Sequence, residues 1–293
     1  MQFDHIDDLQ QALAQHNYIS DRSLTTALFL ALKLHKPILL EGEAGVGKTE
    51  IAKTLTTILG TELIRLQCYE GLDASTAIYE WNYPRQLLQI RMAETQGSDK
   101  AANIFTREFL IQRPLLHAID GGHTQAPVLL IDELDRADEE FEAFLLELLS
   151  DWQITIPELG TIKAKYPPIV IITSNRTREV HDALKRRCLF HWVDYPTLDK
   201  ELTILAARVP NINQTLARQI VVFVQELRRL DLFKIPGVAE TIDWANALVA
   251  LNTTALTLET VDDTLGAILK YQDDLQQVKG EAVKALLARV NSL

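Results

Sequence analysis

The sequence predicts an α/β fold with a parallel sheet, followed by a helical region. Two observations carry this prediction. Short apolar runs of strand length alternate with segments of helical periodicity, and parallel strands are usually connected by helices. The strand pattern ends after Pro196, whereas helical periodicity continues to the end of the chain. We therefore expect an α/β domain over residues 1–196 and an all-α domain over residues 197–293.

The individual elements follow from the spacing of apolar residues. Five apolar runs have the length of buried strands: residues 37–41, 62–67, 126–132, 168–173 and 189–195. Other segments place apolar residues three and four positions apart, as amphipathic helices do: residues 1–36, 49–60, 138–152, 216–230 and 281–290. Gly60 is a suitable stop for the helix that begins near residue 49.

The composition is typical of a folded protein. The 293 residues are 47% hydrophobic and 24% charged, as in globular domains. No apolar run approaches the ~20 residues of a membrane helix, and the N-terminus is acidic where a secretory signal is basic. We therefore expect a cytoplasmic protein without membrane insertion. The only cysteines, Cys68 and Cys188, match no metal or redox spacing, which predicts two reduced thiols.

The net charge of −11 disfavours a general nucleic-acid role, because backbone binding requires a basic surface. Lysines and arginines are dispersed, apart from the cluster Lys185, Arg186 and Arg187. A ring of subunits could still concentrate a local basic lining, so this class of partner is disfavoured and not excluded.

The stretch EGEAGVGKTE, residues 41–50, fits the phosphate-binding pattern G-x-x-x-x-G-K-[ST]. A predicted strand precedes it and a predicted helix follows, which is the context that this pattern needs. Lys48 would reach the β- and γ-phosphates and the Thr49 hydroxyl would ligate Mg²⁺. The predicted nucleotide-binding residues are Gly42, Glu43, Ala44, Gly45, Val46, Gly47, Lys48, Thr49 and Glu50. ATP is the expected nucleotide, because no GTP-selecting N-K-x-D occurs.

The stretch VLLIDELD, residues 128–135, is a second motif. Asp132 lies at the carboxyl end of the apolar run and would hold Mg²⁺ beside Thr49, mostly through water. Glu133 would be the general base for a water that attacks the γ-phosphate. The alternative is an acidic loop that caps the helix beginning at Asp138.

Three further residues are candidates for the chemistry. Asn175 follows another apolar run, and strand carboxyl ends meet at one edge of a parallel sheet, so Asn175 could orient the attacking water or simply form a turn. Arg186 and Arg187 precede the last strand. An arginine that reaches a neighbouring subunit's γ-phosphate accelerates hydrolysis, although a solvated basic face is the alternative. The seven histidines include no H-E-x-x-H and no i, i+4 pair, so we expect no protein-bound catalytic metal.

The order of these motifs resembles that of AAA+ ATPases, and more narrowly the MoxR group. Three segments carry the resemblance: LLEGEAGVGKTEIAK (39–53), LIDELDRADEEFEAFLLELLSD (130–151) and ITSNRTREVHDALKRRC (172–188). The segment QCYEGLDASTAIYEWNYPRQLL (67–88) resembles the branch associated with carbon monoxide dehydrogenase maturation. The resemblance is strong up to residue 196 and weaker afterwards.

The resemblance implies a five-stranded parallel sheet in the order 5-1-4-3-2, followed by a small all-α lid. It identifies the glycine loop as Walker A and Asp132 with Glu133 as Walker B. It places Asn175 at sensor 1 and Arg187, with Arg186 as the alternative, at the arginine finger. The implied strand order also puts Cys68 and Cys188 at opposite edges of the sheet.

One position departs from the family pattern. The family usually carries a sensor 2 arginine near the start of a lid helix, where this chain has Glu240 and Thr241. Closure of the lid on the γ-phosphate is then in question, unless Arg228 or Arg229 supplies the charge.

Two inserts are predicted by the same resemblance. Residues 69–88 match a helix-2 insert, in which Tyr79, Trp81 and Tyr83 either face a partner or pore or form a hydrophobic cluster that clamps a loop. The strand spacing of Ile154, Ile156 and Ile162 predicts a β-hairpin over residues 152–168 that turns at Leu159–Gly160. It resembles the insert before sensor 1, either as a substrate-facing element or as a simple edge hairpin.

The resemblance implies an ATP-driven remodelling chaperone that assembles into a ring, most often a hexamer. It also implies a partner with a von Willebrand factor A domain and a metalloenzyme client. Two alternatives from other classes are a nucleic-acid motor or loader, and a nucleotide-gated binding module with little turnover.

Overall fold

The strands of the computed structural model, which describes residues 3–95 and 103–290, coincide with the apolar runs and add two hairpins. In chain order they are β1 (Ile38–Gly42), β2 (Leu63–Gln67), β3 (Tyr79–Trp81), β4 (Leu110–Gln112), β5 (Val128–Asp132), β6 (Gln153–Ile156), β7 (Gly160–Lys163), β8 (Ile169–Ser174) and β9 (Leu189–Val193).

Helices lie between most of the strands in the first two thirds of the chain, and the elements after β9 are all helices in the described residues. They are α1 (Ile6–Gln15), α2 (Arg22–Leu34), α3 (Lys48–Leu59), α4 (Ala74–Ala77), α5 (Tyr83–Thr95), α6 (Pro114–Asp120), α7 (Glu139–Asp151), α8 (Asp182–Lys185), α9 (Leu198–Arg208), α10 (Gln214–Leu227), α11 (Val238–Ala250), α12 (Leu258–Ile268), α13 (Gln272–Val278) and α14 (Glu281–Val290).

The main sheet has five strands in the order β2-β5-β8-β1-β9. This order and the parallel α/β class confirm the prediction. Strands β1 and β5 are buried along their whole length, which explains why each is an unbroken apolar run. The buried face includes Leu129 and Ile172 of the sheet with Phe141 and Leu145 of α7. The pairing of the strands therefore determines which strand ends lie next to each other.

The helices after β9 have a hydrophobic core of their own, centred on α10, α11 and α12. The rings of Phe223 and Trp244 lie 5.3 Å apart, and both side chains are fully buried. The indole Nε1–H of Trp244 donates to Thr264 Oγ1 at 2.8 Å, so the polar group of this buried ring is satisfied.

The contacts divide the chain into two compact units. The first unit comprises Met1–Leu9, Arg22–Glu41 and Thr49–Trp192. The second comprises Gln10–Asp21, Gly42–Lys48 and Val193–Leu293. The contacts thus place a break after Trp192 and assign the glycine loop to the second unit, whereas the sequence suggested a single boundary near residue 196. Residues 291–293 of the expected lid lie outside the described residues.

The helix-2 insert region contains α4, β3 and α5, and β3 pairs antiparallel with β4. The Trp81 ring is buried and makes edge-to-face contacts with Tyr79 at 6.0 Å and Phe105 at 5.3 Å. Tyr83 is 60% exposed. Within the first unit, Tyr79 and Trp81 therefore belong to a hydrophobic cluster, and only Tyr83 of the three is free to meet a partner.

The second hairpin pairs β6 with β7, and Ile156 lies opposite Gly160. Gly160 has φ +80°, a left-handed conformation that glycine adopts without strain. Ile154, Ile156 and Ile162 are buried, so one face of the hairpin packs into the core of the first unit.

The two cysteines are unpaired. Cys68 follows β2 and Cys188 precedes β9, and these strands are the opposite edges of the sheet. None of the helices in the described part of the chain combines the length and the apolar character that a membrane-spanning helix needs.

Candidate active site

The carboxylate of Asp132 is the centre of the candidate site in the first unit. The residue is 2% exposed and ends β5. Its Oδ1 accepts hydrogen bonds from Thr49 Oγ1 at 2.9 Å and from Thr173 Oγ1 at 2.6 Å. Its Oδ2 accepts from Arg65 Nη2 at 2.6 Å and Nε at 3.1 Å. Donors from α3, β8 and β2 therefore fix both oxygens of this buried group.

Thr49 and Asp132 have the donor set that Mg²⁺ prefers, a hydroxyl and a carboxylate oxygen. Thr49 Oγ1 and Asp132 Oδ1 are 2.9 Å apart, so the hydroxyl could bind one ion directly while the carboxylate bound a water of the same ion. Two protein oxygens leave most of the coordination shell to water and phosphate, as is usual for this ion. The residues therefore fit Mg²⁺.

Glu133 has a strained backbone. Its φ of 54° and ψ of 50° are left-handed, which is uncommon outside glycine and costs about 1–3 kcal/mol. The Glu133 N–H donates to Thr173 Oγ1 at 2.9 Å, and the carboxylate pairs with Arg136 Nε at 3.1 Å. Strain of this kind persists where the surroundings hold it, and it concentrates at functional sites.

Thr173 connects the two acidic residues, because its hydroxyl donates to Asp132 and accepts from the Glu133 N–H. Neither Thr173 nor Arg65 was among the residues predicted from the sequence. A hydroxyl inside the otherwise apolar run of β8, two positions before Asn175, was the available signal for Thr173. Nothing in the spacing marks Arg65, because its contact with Asp132 depends on the pairing of β2 with β5.

Asn175 directly follows β8 and is half-buried. Its backbone N–H donates to Asp135 Oδ1 at 3.1 Å. Its side-chain amide makes no hydrogen bond to any residue in the described part of the chain, so the amide is available to a bound molecule. β8 lies next to β5, which puts Asn175 and Asp132 at the ends of neighbouring strands.

Asp135 holds the loop after Asn175 in place. Its Oδ2 accepts from Thr177 N at 2.9 Å and Thr177 Oγ1 at 2.6 Å. Burial acts to raise the pKa of the Asp135 carboxyl, but these bonds and the one from the Asn175 N–H outweigh it and lower the pKa below its ordinary value. Asp135 was not among the residues predicted from the sequence, although it is the last residue of the stretch VLLIDELD.

Glu142 of α7 anchors the next part of the same loop. The side chain is buried, its Oε1 pairs with Arg178, and its Oε2 accepts from His181 N at 2.7 Å. The loop leads directly into α8, so Asp135 and Glu142 together set the path from Asn175 to the two arginines.

Arg186 and Arg187 are both exposed. Arg187 Nε donates to Ser150 Oγ at 2.6 Å, and its Nη1 donates to Ala183 O at 2.8 Å. The Arg186 side chain makes no hydrogen bond or ion pair with any of the residues described. Neither arginine bonds to Asp132 or Glu133 of its own chain.

The second unit contains the glycine loop, residues 42–48. Lys48 is 5% exposed, and its Nζ donates to the carbonyl oxygens of Gly42 and Glu43, each at 2.6 Å. A Cβ on Gly42 would lie 2.2 Å from Val193 O, so only glycine fits there. The ammonium group is thus held inside the loop by the loop's own carbonyl groups.

The loop packs on the N-terminus of α11 within this unit. Ala239 N donates to Gly45 O at 3.1 Å. Gly45 has φ +76°, and a Cβ there would lie 2.9 Å from Glu240 Oε2. This is the helix start at which the sequence lacks the sensor 2 arginine, and the structure places the carboxylate of Glu240 beside the loop.

Arg228 and Arg229, the two residues suggested to replace the sensor 2 arginine, each form an ion pair with a glutamate. The Arg228 side chain is 7% exposed and forms two hydrogen bonds of 2.7 Å with the carboxylate of Glu201. Arg229 pairs with Glu226. Because a carboxylate already neutralises each guanidinium, the structure gives no support to either residue as a sensor 2 group.

Comparison with protein families identifies a domain in this chain. The family model for the AAA domain (dynein-related subfamily) matches residues 37–188, more than half of the chain.

Similar curated proteins come from staphylococci and are uncharacterized proteins. The chain is 27% identical to one from Staphylococcus haemolyticus over 226 residues, 74% of this chain and 78% of the relative. It is 25% identical to one from Staphylococcus epidermidis over 266 residues, which cover 88% of this chain and 93% of the relative. A relative from Staphylococcus saprophyticus is 25% identical over 275 residues, which cover 90% of this chain and 96% of the relative.

Two solved structures are similar to this chain in the path of the backbone. One is a "putative ATPase" from Cytophaga hutchinsonii, with 15% identity, a TM-score of 0.47 and coverage of 98% of this chain and 94% of that one. The other is a point mutant of Thermotoga maritima RuvB, with 15% identity, a TM-score of 0.48 and coverage of 99% and 83%. Likeness at this level says nothing about a shared substrate.

The family match begins just before β1 and ends just before β9. It therefore includes four strands of the sheet and each acidic or polar strand end described above. We conclude that the chain belongs to the dynein-related subfamily of AAA domains, a family of ATP-hydrolysing proteins.

Proposed function

We propose that this chain hydrolyses ATP with Mg²⁺. The observation that carries the proposal is the fixed carboxylate of Asp132, bonded to Thr49 and connected through Thr173 to the strained residue Glu133. Fixed groups of this kind contribute to phosphoryl transfer mainly by positioning and electrostatics.

Each residue has a distinct role in this proposal. Glu133 accepts a proton from the attacking water, and the Asn175 amide orients that water. The backbone of residues 42–48 and the Lys48 ammonium bind the phosphates. Thr49 and Asp132 hold Mg²⁺, largely through water, and the ion neutralises charge on the phosphate oxygens.

A ring of subunits completes the site in this proposal. Arg187, or Arg186 in its place, would stabilise the γ-phosphate bound by a neighbouring subunit. Their exposure, and the lack of any bond to Asp132 or Glu133 of the same chain, support an action between subunits. A hexamer is the assembly that the resemblance implies.

For the biological role we propose a MoxR-type remodelling chaperone of the cytoplasm, from the branch similar to carbon monoxide dehydrogenase maturation ATPases. Support comes from the motif order and from the insert at residues 69–88, whose Tyr83 is exposed. The proposed partners are a protein with a von Willebrand factor A domain and a metalloenzyme client. The net charge of −11 favours a protein client over a nucleic acid, and a gel-shift assay at low salt tests that choice.

The decisive experiment compares Glu133→Gln with Glu140→Gln, a matched change at an exposed position of α7. Steady-state phosphate release should fall at least a hundredfold in Glu133→Gln and stay at the wild-type level in Glu140→Gln. ATP binding should persist in both variants. If the wild-type chain binds ATP but releases no phosphate above the Glu133→Gln background, the protein is a binding module and the proposal is wrong.

A further inference from the structure

A second cluster of chemically active side chains lies in the first unit, away from the strand ends that carry Asp132 and Asn175. It consists of Glu62, directly before β2, His117 in α6, and His123 in the turn between α6 and β5. One ligand atom from each residue lies within 4.8 Å of the other two. We define these three residues as the His–Glu cluster.

The distances within the cluster match those of a metal site. His117 Nε2 is 3.0 Å from Glu62 Oε1, and His123 Nδ1 is 3.4 Å from Glu62 Oε2. Ligands bound to Zn²⁺ at its usual bond lengths and tetrahedral angles lie about 3.3 Å from each other. The three side chains can therefore reach one ion with small rotations.

The other ring nitrogen of each histidine has its own acceptor. His123 Nε2 is 2.7 Å from the His117 carbonyl oxygen, and His117 Nδ1 is 3.4 Å from Gln112 Oε1. Metal-bound histidines usually donate this second N–H to a carbonyl or carboxylate, which fixes the ring orientation. In the tautomer whose Nε2–H donates to the His117 carbonyl, His123 Nδ1 carries a lone pair that can ligate a cation.

Gly121 makes room for this arrangement. A Cβ at Gly121 would lie 2.5 Å from His123 Nε2 and 2.4 Å from the His117 carbonyl oxygen. The φ of Gly121 is −73°, which any residue can adopt, so only the space requirement demands glycine. With no side chain there, the His123 ring lies against the end of α6, with its centroid 5.2 Å from that of His117.

We propose that Glu62, His117 and His123 bind one divalent transition-metal ion of the Zn²⁺ type. Two imidazoles and one carboxylate suit Zn²⁺ and leave a fourth position for water. Glu62 directly precedes β2, and Asp132 is the last residue of β5. The two parallel strands pair over five positions, with Gln67 opposite Asp132. At about 3.3 Å per residue, the cluster is therefore about 16 Å from Asp132 along the strands. It is thus distinct from the Mg²⁺ site.

The ion would tie the turn after α6 to the start of β2. Direct bonds already join these segments, from Thr61 Oγ1 to Ala126 O at 2.8 Å and from Gln125 Nε2 to Gly60 O at 2.7 Å. A metal that binds the folded chain and not the unfolded chain raises the free energy of unfolding. We therefore assign the ion a structural role, separate from the catalytic metal that the sequence disfavoured.

The test uses the full chain without an affinity tag, treated with chelator and free of nucleotide. Co²⁺ is titrated while visible absorption is recorded, and Zn²⁺ is then added as a competitor. One equivalent of Co²⁺ should give an absorption band that Zn²⁺ abolishes, and Zn²⁺ should raise the thermal unfolding midpoint.

The variants separate this site from others. Glu62→Gln and His117→Gln alter side chains that are at least one-third exposed, and Gly121→Ala fills the space under His123. Each should weaken Zn²⁺ binding at least tenfold, whereas His16→Gln, at an exposed position of the chain, should leave binding unchanged. Circular dichroism checks that Glu62→Gln is folded. Absence of the Co²⁺ band in the wild-type chain, or equal binding by folded Glu62→Gln, would overturn the proposal.

Discussion

The Thr173 hydroxyl donates to Asp132 Oδ1 at 2.6 Å and accepts the Glu133 N–H at 2.9 Å. A single side chain of β8 therefore positions both acidic residues at the end of β5. It fixes the buried carboxylate of one and the left-handed backbone of the other.

Replacing Thr173 by Val should disrupt this connection. The change keeps the shape of the side chain but leaves a buried carboxylate oxygen and a backbone N–H with one partner fewer, at a cost of about 1–3 kcal/mol. We expect phosphate release to fall at least tenfold, measured at saturating ATP. Thr173→Ser is the control and should retain most of the activity, because it keeps the hydroxyl. Equal rates for the Val and Ser variants would show that the hydroxyl has no role.

Mixing variants tests whether the arginines act between subunits. Glu133→Gln and Arg187→Ala should each be nearly inactive alone. Mixed rings should regain part of the turnover, because some interfaces combine an intact Glu133 with an intact Arg187. Phosphate release is measured over a range of mixing ratios.

Arg186→Ala is tested in the same way, and Lys185→Ala serves as the neighbouring control. Arg187 donates a hydrogen bond to Ser150, whereas the Arg186 side chain has no hydrogen-bond or ion-pair partner among the described residues. The comparison of the two variants therefore decides which guanidinium reaches the nucleotide. Wild-type activity of Arg187→Ala would exclude that residue as the finger.

Asp135 predicts a dependence of stability on acidic pH. The pKa of its carboxyl is lowered in the folded state, where burial is outweighed by the hydrogen bonds from Thr177 and Asn175. The folded chain thus binds this proton less readily than the unfolded chain. The stabilisation is complete above the ordinary aspartate pKa of about 3.9 and is lost as pH falls through the lower folded value.

The difference in unfolding free energy between the wild type and Asp135→Asn should therefore shrink as pH falls below about 4. Urea titrations at several pH values measure it. A wild-type advantage over Asp135→Asn that is constant down to about pH 2 would contradict the prediction.

The cysteines should react slowly in the folded protein. Burial raises the pKa of the Cys68 thiol to about 12, with further contributions from Asp132 and Asp135, and burial raises the pKa of Cys188 to about 12 although Arg187 opposes it. Relative to an ordinary thiol of pKa 9.0, the thiolate fraction at pH 8 is about a thousandfold smaller.

Labelling with iodoacetamide at pH 8 measures this effect. Both cysteines should label at least a hundredfold faster in denaturant than in buffer, and Cys68→Ser and Cys188→Ser assign the two rates. Rapid labelling of the folded chain at either cysteine would contradict the burial of that thiol.

The sequence by itself determined the features that depend on neighbouring residues. The strands are unbroken apolar runs because they are buried along their length, and helix α3 ends at Leu59 because Gly60 readily takes the left-handed φ of +61°. The glycine loop is a contiguous pattern, and Asp132 and Glu133 became candidates because the end of a strand is visible in the sequence. The strand order came from the resemblance, since periodicity does not order strands.

Only the tertiary structure decided which distant side chains meet. Arg65 reaches Asp132 because β2 pairs with β5, and Thr173 reaches it because β8 lies on the other side of β5. Glu62 and His117 are 55 positions apart in the chain, and nothing in their spacing predicts contact. Local patterns reflect hydrogen bonding and burial along one segment, whereas these contacts depend on strand pairing and on the space left by Gly121. Sequence patterns therefore located the motifs, and the packing of segments distant in the chain supplied the groups that hold them.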